Sequence, residues 1–161
     1  MAFDAKLQRR IMGCFATGIT VVTTRVGDDF FGMTANAVTS LSLDPPLVLV
    51  AVDKGTGFHG RLKESGCFAM NILTDQQEDL STRFAARGVK QFADIPTKTD
   101  QTGAPIFTEA LGYVDCRLSQ VLSGGDHDIF LGEVLAGEVH EAQPLLFYAG
   151  KYRRLEDEGK S

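Results

Sequence analysis

From Gly32 to Val52 the chain reads GMTANAVTSLSLDPPLVLVAV. Two apolar, β-branched runs flank a polar segment of small residues, and Asp44-Pro45-Pro46 precedes the second run. A Pro-Pro pair can neither continue a helix nor donate to a central sheet ladder. The order is therefore strand, irregular small-polar segment, sharp turn, buried strand. Thr34-Ala35-Asn36-Ala37-Val38-Thr39-Ser40 offers hydroxyls, one amide and unhindered backbone. That mix suits hydrogen bonding to a planar ligand rich in nitrogen and oxygen.

Before this stretch, Phe3, Leu7, Ile11, Cys14 and Phe15 recur at helical spacing, with Asp4 as a cap. They predict an N-terminal helix lying on a sheet and ended by Gly18. Ile19 to Thr24 is a strand by β-branching. Val26-Gly27-Asp28-Asp29 is a hairpin turn, and Phe30 and Phe31 open the return strand. After it, Leu47 to Val52 is continuously apolar, the mark of a strand buried on both sides. A loop over 53–57 leads to a short helix from Phe58 to Ser65, with Gly66 as its stop. Cys67 to Leu73 is a further strand. Thr74 and Asp75, with Glu78 beyond, give a capping-box signal for a helix to about Ala86.

The segment from Lys90 to Thr108 is turn-rich and weakly periodic, so it reads as a long surface excursion with a helical turn near Phe92. Val114, Cys116, Leu118 and Gln120 alternate with polar neighbours as in a half-buried strand. Residues 123–126 turn it into a partner strand, Ile129 to Val139, bent at Gly132 and Gly137. Pro144 to Tyr148 is a short last strand. The sum is mainly β with short helices: a closed antiparallel barrel in one domain, 1–155, followed by a polar tail, 156–161.

Composition narrows the function. The 161 residues carry a net charge of −5, with 43% hydrophobic and 23% charged residues, which fits one acidic globule. That balance disfavours a nucleic-acid binder. No apolar run approaches the roughly 18 residues needed to cross a bilayer. Residues 1–6 lack an apolar signal core, so a cytoplasmic protein is expected. Cys14, Cys67 and Cys116 are odd in number, far apart and among apolar neighbours, which predicts small buried hydrophobes rather than disulfides or metal ligands.

One motif misleads. Gly55-Thr56-Gly57-Phe58-His59-Gly60 matches G-x-G-x-x-G after an apolar strand, and Asp75 follows at the spacing of a ribose-binding acid. The helix behind it is barely two turns, short for a parallel crossover. The second half of the chain repeats no strand–helix–strand unit. The dinucleotide reading is therefore rejected, while small residues beside Lys54 ahead of a helix N-terminus still suit a phosphate.

Four blocks in order carry a resemblance: residues 12–23 (MGCFATGITVVT), the 32–52 stretch, residues 125–134 (GDHDIFLGEV), and Pro144 to Tyr148 with Tyr152-Arg153. Across residues 10–155 the chain resembles the short flavin reductases of two-component flavin monooxygenases, which share the FMN-binding split barrel, a Greek-key-like closed fold. The resemblance implies hydride transfer from a reduced nicotinamide to FMN or FAD; no arginine cluster marks a 2′-phosphate site, so NADH is expected, with NADPH left open. It further implies a homodimer, and delivery of reduced flavin to a separate oxygenase component.

On that resemblance Thr34, Ala35, Asn36, Ala37, Val38 and Ser40 meet the isoalloxazine and ribityl groups. Ala51, Val52, Lys54 and Thr56 meet the ribityl chain and phosphate. His127 lies on the nicotinamide side. Phe147 and Tyr152 pack on the cofactor or on the barrel end. From the residues alone, Asn71 bonds neighbouring backbone or reaches the flavin, since an unpaired amide in an apolar strand is costly. Arg83 pairs with a phosphate or with Asp79, and Phe84 is core or cofactor wall. Lys90 is a further cationic candidate. An ordinary turn histidine would look like His127, but no metal-ligand spacing and no G-x-S-x-G elbow offers it another chemistry. Hydride transfer needs positioning, at about 3–3.5 Å between reacting atoms, more than it needs a protein acid or base. A ferric-complex reductase on the same fold, or a flavin-binding protein without turnover, would carry the same motifs.

Overall fold

The computed structural model describes residues 2–156. Among the described residues three helices, α1 (Ala5–Gly13), α2 (Gly57–Ser65) and α3 (Glu78–Ala85), decorate twelve strands. In chain order these are β1 (Thr17–Gly18), β2 (Thr20–Val26), β3 (Asp29–Ala35), β4 (Val38–Leu43), β5 (Pro46–Asp53), β6 (Cys67–Ile72), β7 (Thr97–Lys98), β8 (Ile106–Phe107), β9 (Gly112–Gly124), β10 (His127–Val139), β11 (Leu146–Tyr148) and β12 (Lys151–Arg153). Seven of them form one sheet in the order β3-β2-β6-β9-β10-β5-β4, with every pairing antiparallel. The rejected crossover is absent: β5 and β6, on either side of α2, are not neighbours.

β2 explains why the layers lie where they do. Its first five residues are all buried, because both of its faces are covered. Val22 packs with Val50, Val52, Phe58, Leu62, Phe68 and Phe130 in the core that takes in α2. Val21, one residue earlier and so on the opposite face, packs with Ile19, Leu73, Phe84, Phe107 and Leu145 in the core that takes in α3. Each such side chain contributes about 1.5–3 kcal/mol of burial. Gly32 lets α3 approach β3, since a Cβ there would lie 2.7 Å from the Phe84 ring. Gly66 ends α2 by donating its N–H to Leu62 O at 3.2 Å.

Several expectations are corrected. The main sheet is not a closed ring: β3 and β4 are its edges, and among the described residues no ladder joins them. The irregular segment shrinks to Asn36 and Ala37, because the Asp44-Pro45 turn lets β4 pair with β5 as a hairpin from Leu43↔Pro46. β5 alternates buried with half-buried residues, since β4 and β10 flank it at its edges while one face stays partly open. α1 stops at Gly13, not Gly18, and does not lie on the sheet: it has no buried residue, and Phe3 and Phe15 are 66% and 71% exposed. No capping box starts α3. Instead Thr74 N–H donates to Gln77 Oε1 at 3.0 Å.

The 90–108 excursion is part of the core rather than a surface loop. Ile95, Ala104, Ile106 and Phe107 are buried, and β7 pairs with β8. It covers the second face of β9, which is why Tyr113 and Asp115 are buried too. Among the cysteines only Cys116 is the buried hydrophobe expected; Cys14 is exposed and Cys67 half-buried, and none is paired. The last five residues of the polar tail lie outside the described residues.

Candidate active site

The C-terminal end of β5 gathers the residues that sequence reasoning singled out. Ala51 N–H donates to Ala37 O at 2.9 Å, which fixes the Asn36-Ala37 bend against β5. Two residues on, Asp53 lies across the ladder from His127. Lys54 N–H then donates to Asp126 O at 3.0 Å. One strand end thus holds both the small-polar ribbon and the histidine turn.

Along the ribbon, Asn36, Ala37, Thr39 and Ser40 are exposed, Thr34 and Val38 half-buried, and Ala35 buried. Thr34 Oγ1 donates to Ser81 O at 2.6 Å, and Ser81 Oγ lies 2.8 Å from Tyr152 Oη. Tyr152 is therefore linked to the ribbon through Ser81, while its ring packs edge-on against Phe147 at 5.6 Å. Asn36 Nδ2 donates to Thr17 Oγ1 at 3.3 Å, which ties the bend to β1 and leaves its Oδ1 open.

The part of β3 just before the ribbon, residues 30–33, lines a cleft of about 680 Å³. Residues 30–33 form one wall, 53 and 55–58 with Arg61 a second, and 84–90 a third. Thr56 caps α2, accepting from His59 N–H at 3.3 Å, so that the N-terminus of α2 opens into the cleft. Its partial positive charge favours an anion. Arg61, Arg87 and Lys90 add three cations. The Arg61 guanidinium sits 4.8 Å over the Phe31 ring, and Lys90 bonds Ala86 O, with partial burial lowering its ammonium pKa. This donor set fits a phosphate-bearing tail, and the ribbon fits the polar edge of a planar ring.

His127 Nδ1 lies 2.7 Å from Asp126 Oδ1, and that contact lowers the Asp126 carboxyl pKa. Asp128 does not flank the imidazole as its sequence position suggests. Strand alternation sends it to the other face, where its carboxylate meets His59 Nε2 at 2.8 Å, Lys63 Nζ at 3.0 Å and Lys54 Nζ at 3.4 Å. These partners, His59 first, hold the Asp128 carboxyl down to about 2.

Most other candidates fall outside the cleft. Asn71 is fully buried with its amide spent: Nδ2 donates to Val21 O and Thr23 Oγ1, and Oδ1 accepts from Phe107 N. It has no atom left for a cofactor. The Val52 side chain is core. Arg83 pairs with Asp94 at 2.7 and 2.8 Å rather than with Asp79, and each charge of the pair favours the other's ionised form. Lys54 is occupied by Ser123 Oγ, Gly125 O and Asp128, so it fastens the loop rather than facing the cleft. Phe84 is core and wall at once. Sequence reasoning missed Arg61, Arg87 and the His59–Lys63–Asp128 cluster. The one signal was the i, i+4 spacing of His59 and Lys63, which places both on one face of α2.

The geometry has close relatives. The NADH-dependent FAD reductase of Streptomyces globisporus is 40% identical, covering 95% of this chain and 88% of that protein. The flavin-dependent monooxygenase reductase subunit HsaB of Rhodococcus jostii is 36% identical over 96% of this chain and 80% of that one. Among solved structures, the NADH:FAD oxidoreductase SgcE6 of S. globisporus, in complex with NAD and FAD fragments, superposes with a TM-score of 0.91 at 38% identity, covering 99% of both chains. The family model for the flavin reductase like domain matches residues 12–156, and the chain is a member of that family.

Proposed function

We propose that this protein is an NADH-dependent flavin reductase that supplies reduced FMN or FAD to a separate oxygenase component. The observation that carries the reading is that β3 runs from the wall of a cation-rimmed cleft at residues 30–33 directly into the small-polar ribbon at Thr34. When bound, the flavin supplies the two-electron chemistry, accepting a hydride from NADH. The chain's own residues bind and orient. Asn36 and Ser40, exposed at the bend, would hydrogen-bond the ring's polar edge, and the small Ala37 side chain would leave room beside it. Thr56, the α2 N-terminus, Arg61, Arg87 and Lys90 would hold the phosphate tail. His127, at the same end of β5, would orient the nicotinamide.

The apolar face of α1 supports a homodimer. Phe3, Leu7, Ile11, Met12 and Phe15 are exposed on the protomer, an apolar patch that the proposed dimer would cover with a second copy of this chain. The three unpaired cysteines suit a reducing cytoplasm, and no helix of the described residues is long and apolar enough to cross a membrane.

The test is steady-state NADH oxidation with riboflavin, FMN and FAD supplied in turn. Turnover with FMN or FAD at a KM well below that for riboflavin is expected, because only the phosphorylated flavins fill the cleft. No NADH oxidation with any flavin overturns the reading.

A further inference from the structure

The cluster beneath α2 takes no direct part in the proposed chemistry, yet it touches three of the segments that frame it: α2, the loop after β5 and the turn before β10. Asp128 sits in β10 opposite Val52 in β5 and Ser123 in β9. Its side chain is only 7% exposed, although it is a carboxylate one residue from an exposed turn. Burying a charge is costly unless it is paired. Here it is paired three ways. His59 and Lys63 reach it from α2, and Lys54 from the loop after β5. The His59 ring is wedged edge-on against Phe130 at 5.4 Å, so it has little freedom to turn away.

Lys54 extends the link. Its ammonium also binds Gly125 O at 2.7 Å and Ser123 Oγ at 3.0 Å, in and before the turn that presents His127. The α2 N-terminus and Thr56 belong to the cleft. One carboxylate therefore fastens the anion-binding end of α2, the β5 loop and the histidine turn into a single rigid unit.

We propose that Asp128 is a positioning residue for hydride transfer: through Lys54, His59 and Lys63 it sets where the His127 turn stands relative to the phosphate end of the flavin cleft. This rests on the flavin reductase reading. Asp128 touches neither cofactor nor substrate. Without its charge, Lys54 loses one of three anchors and α2 loses both of its ion pairs to β10, keeping only apolar contact with Phe130. The His127 turn and the cleft then move independently, and NADH is oriented less often for transfer.

The experiment is a double-mutant cycle on the intact protein, with Asp128→Asn, His127→Ala and the double variant assayed for NADH oxidation at saturating flavin. Circular dichroism confirms that each is folded. Asp128→Asn is expected to raise the KM for NADH about tenfold with kcat within about threefold, and to add little to the His127→Ala defect. Lys63→Gln, which removes one more exposed partner, is expected to show a smaller rise in the same direction, and it serves as the variant of record should Asp128→Asn fail to fold. Additive KM effects in the cycle, or an unchanged KM in Lys63→Gln when Asp128→Asn does not fold, overturn the positioning role alone. A wild-type protein that oxidises no NADH with either flavin overturns the reading beneath it as well.

Discussion

His59 Nε2 lies 2.8 Å from Asp128 Oδ2, joining a helix that opens into the cleft to the strand that begins with His127. Two residues 69 positions apart thereby bind the two ends of the site.

The first prediction concerns acid. Asp128 titrates at about 2 in the folded protein, below the ordinary carboxylate value of about 3.9 in the unfolded chain. A depressed folded pKa means that the unfolded state binds the proton more readily. The stabilisation is thus fully present above about pH 5 and is lost as pH falls toward 2. Urea melts between pH 6 and pH 2.5 should show wild-type stability falling more steeply than that of Asp128→Asn. Parallel curves would contradict this.

The second separates Asn71 from the cofactor. Truncation to alanine strands Phe107 N in the core, an unsatisfied group costing about 1–3 kcal/mol, while Val21 O keeps its ladder partner and loses only the extra amide bond. Asn71→Ala should lose about 1–3 kcal/mol of unfolding free energy, while the folded fraction binds flavin as the wild type does. Weakened flavin affinity at unchanged stability would return Asn71 to the site.

The third concerns Gly132. A Cβ there would lie 2.8 Å from Cys116 Cβ and closer still to the Phe68 ring. Both neighbours are fully buried and cannot withdraw. Gly132→Ala should cost about 1–3 kcal/mol by overpacking, read by urea denaturation.

The fourth concerns thiols. Burial, helped by neighbouring Asp115, pushes the Cys116 thiol up to about 12, so almost no thiolate exists at pH 8. Alkylation followed by peptide mass mapping should label exposed Cys14 first. Cys116 should be labelled only after denaturant is added.

Much of this was legible in the residues. Alternation found β9, the β-branched runs found β2 and β5, and Asp44-Pro45-Pro46 marked the hairpin that follows the ribbon. The errors share a cause. Periodicity reports an apolar face but not what covers it, so α1 was expected to lie on the sheet. The weakly periodic 90–108 segment hid core residues because Ile95 and Phe107 are buried singly from a loop. The proposed site was half legible for the same reason. Its candidates Asn36, Ser40 and His127 stand out by residue type within short motifs. Arg61, Arg87 and the partners of Asp128 meet only through long-range folding, where charge alone gives no hint of direction.

The most direct test of the central claim is anaerobic mixing of the protein, one equivalent of NADH and one of FAD or FMN, followed at 450 nm. The account predicts that the flavin bleaches fully, one reduced per NADH consumed, with the rate falling sharply in His127→Ala. A flavin band that stays unchanged with wild-type protein would contradict it.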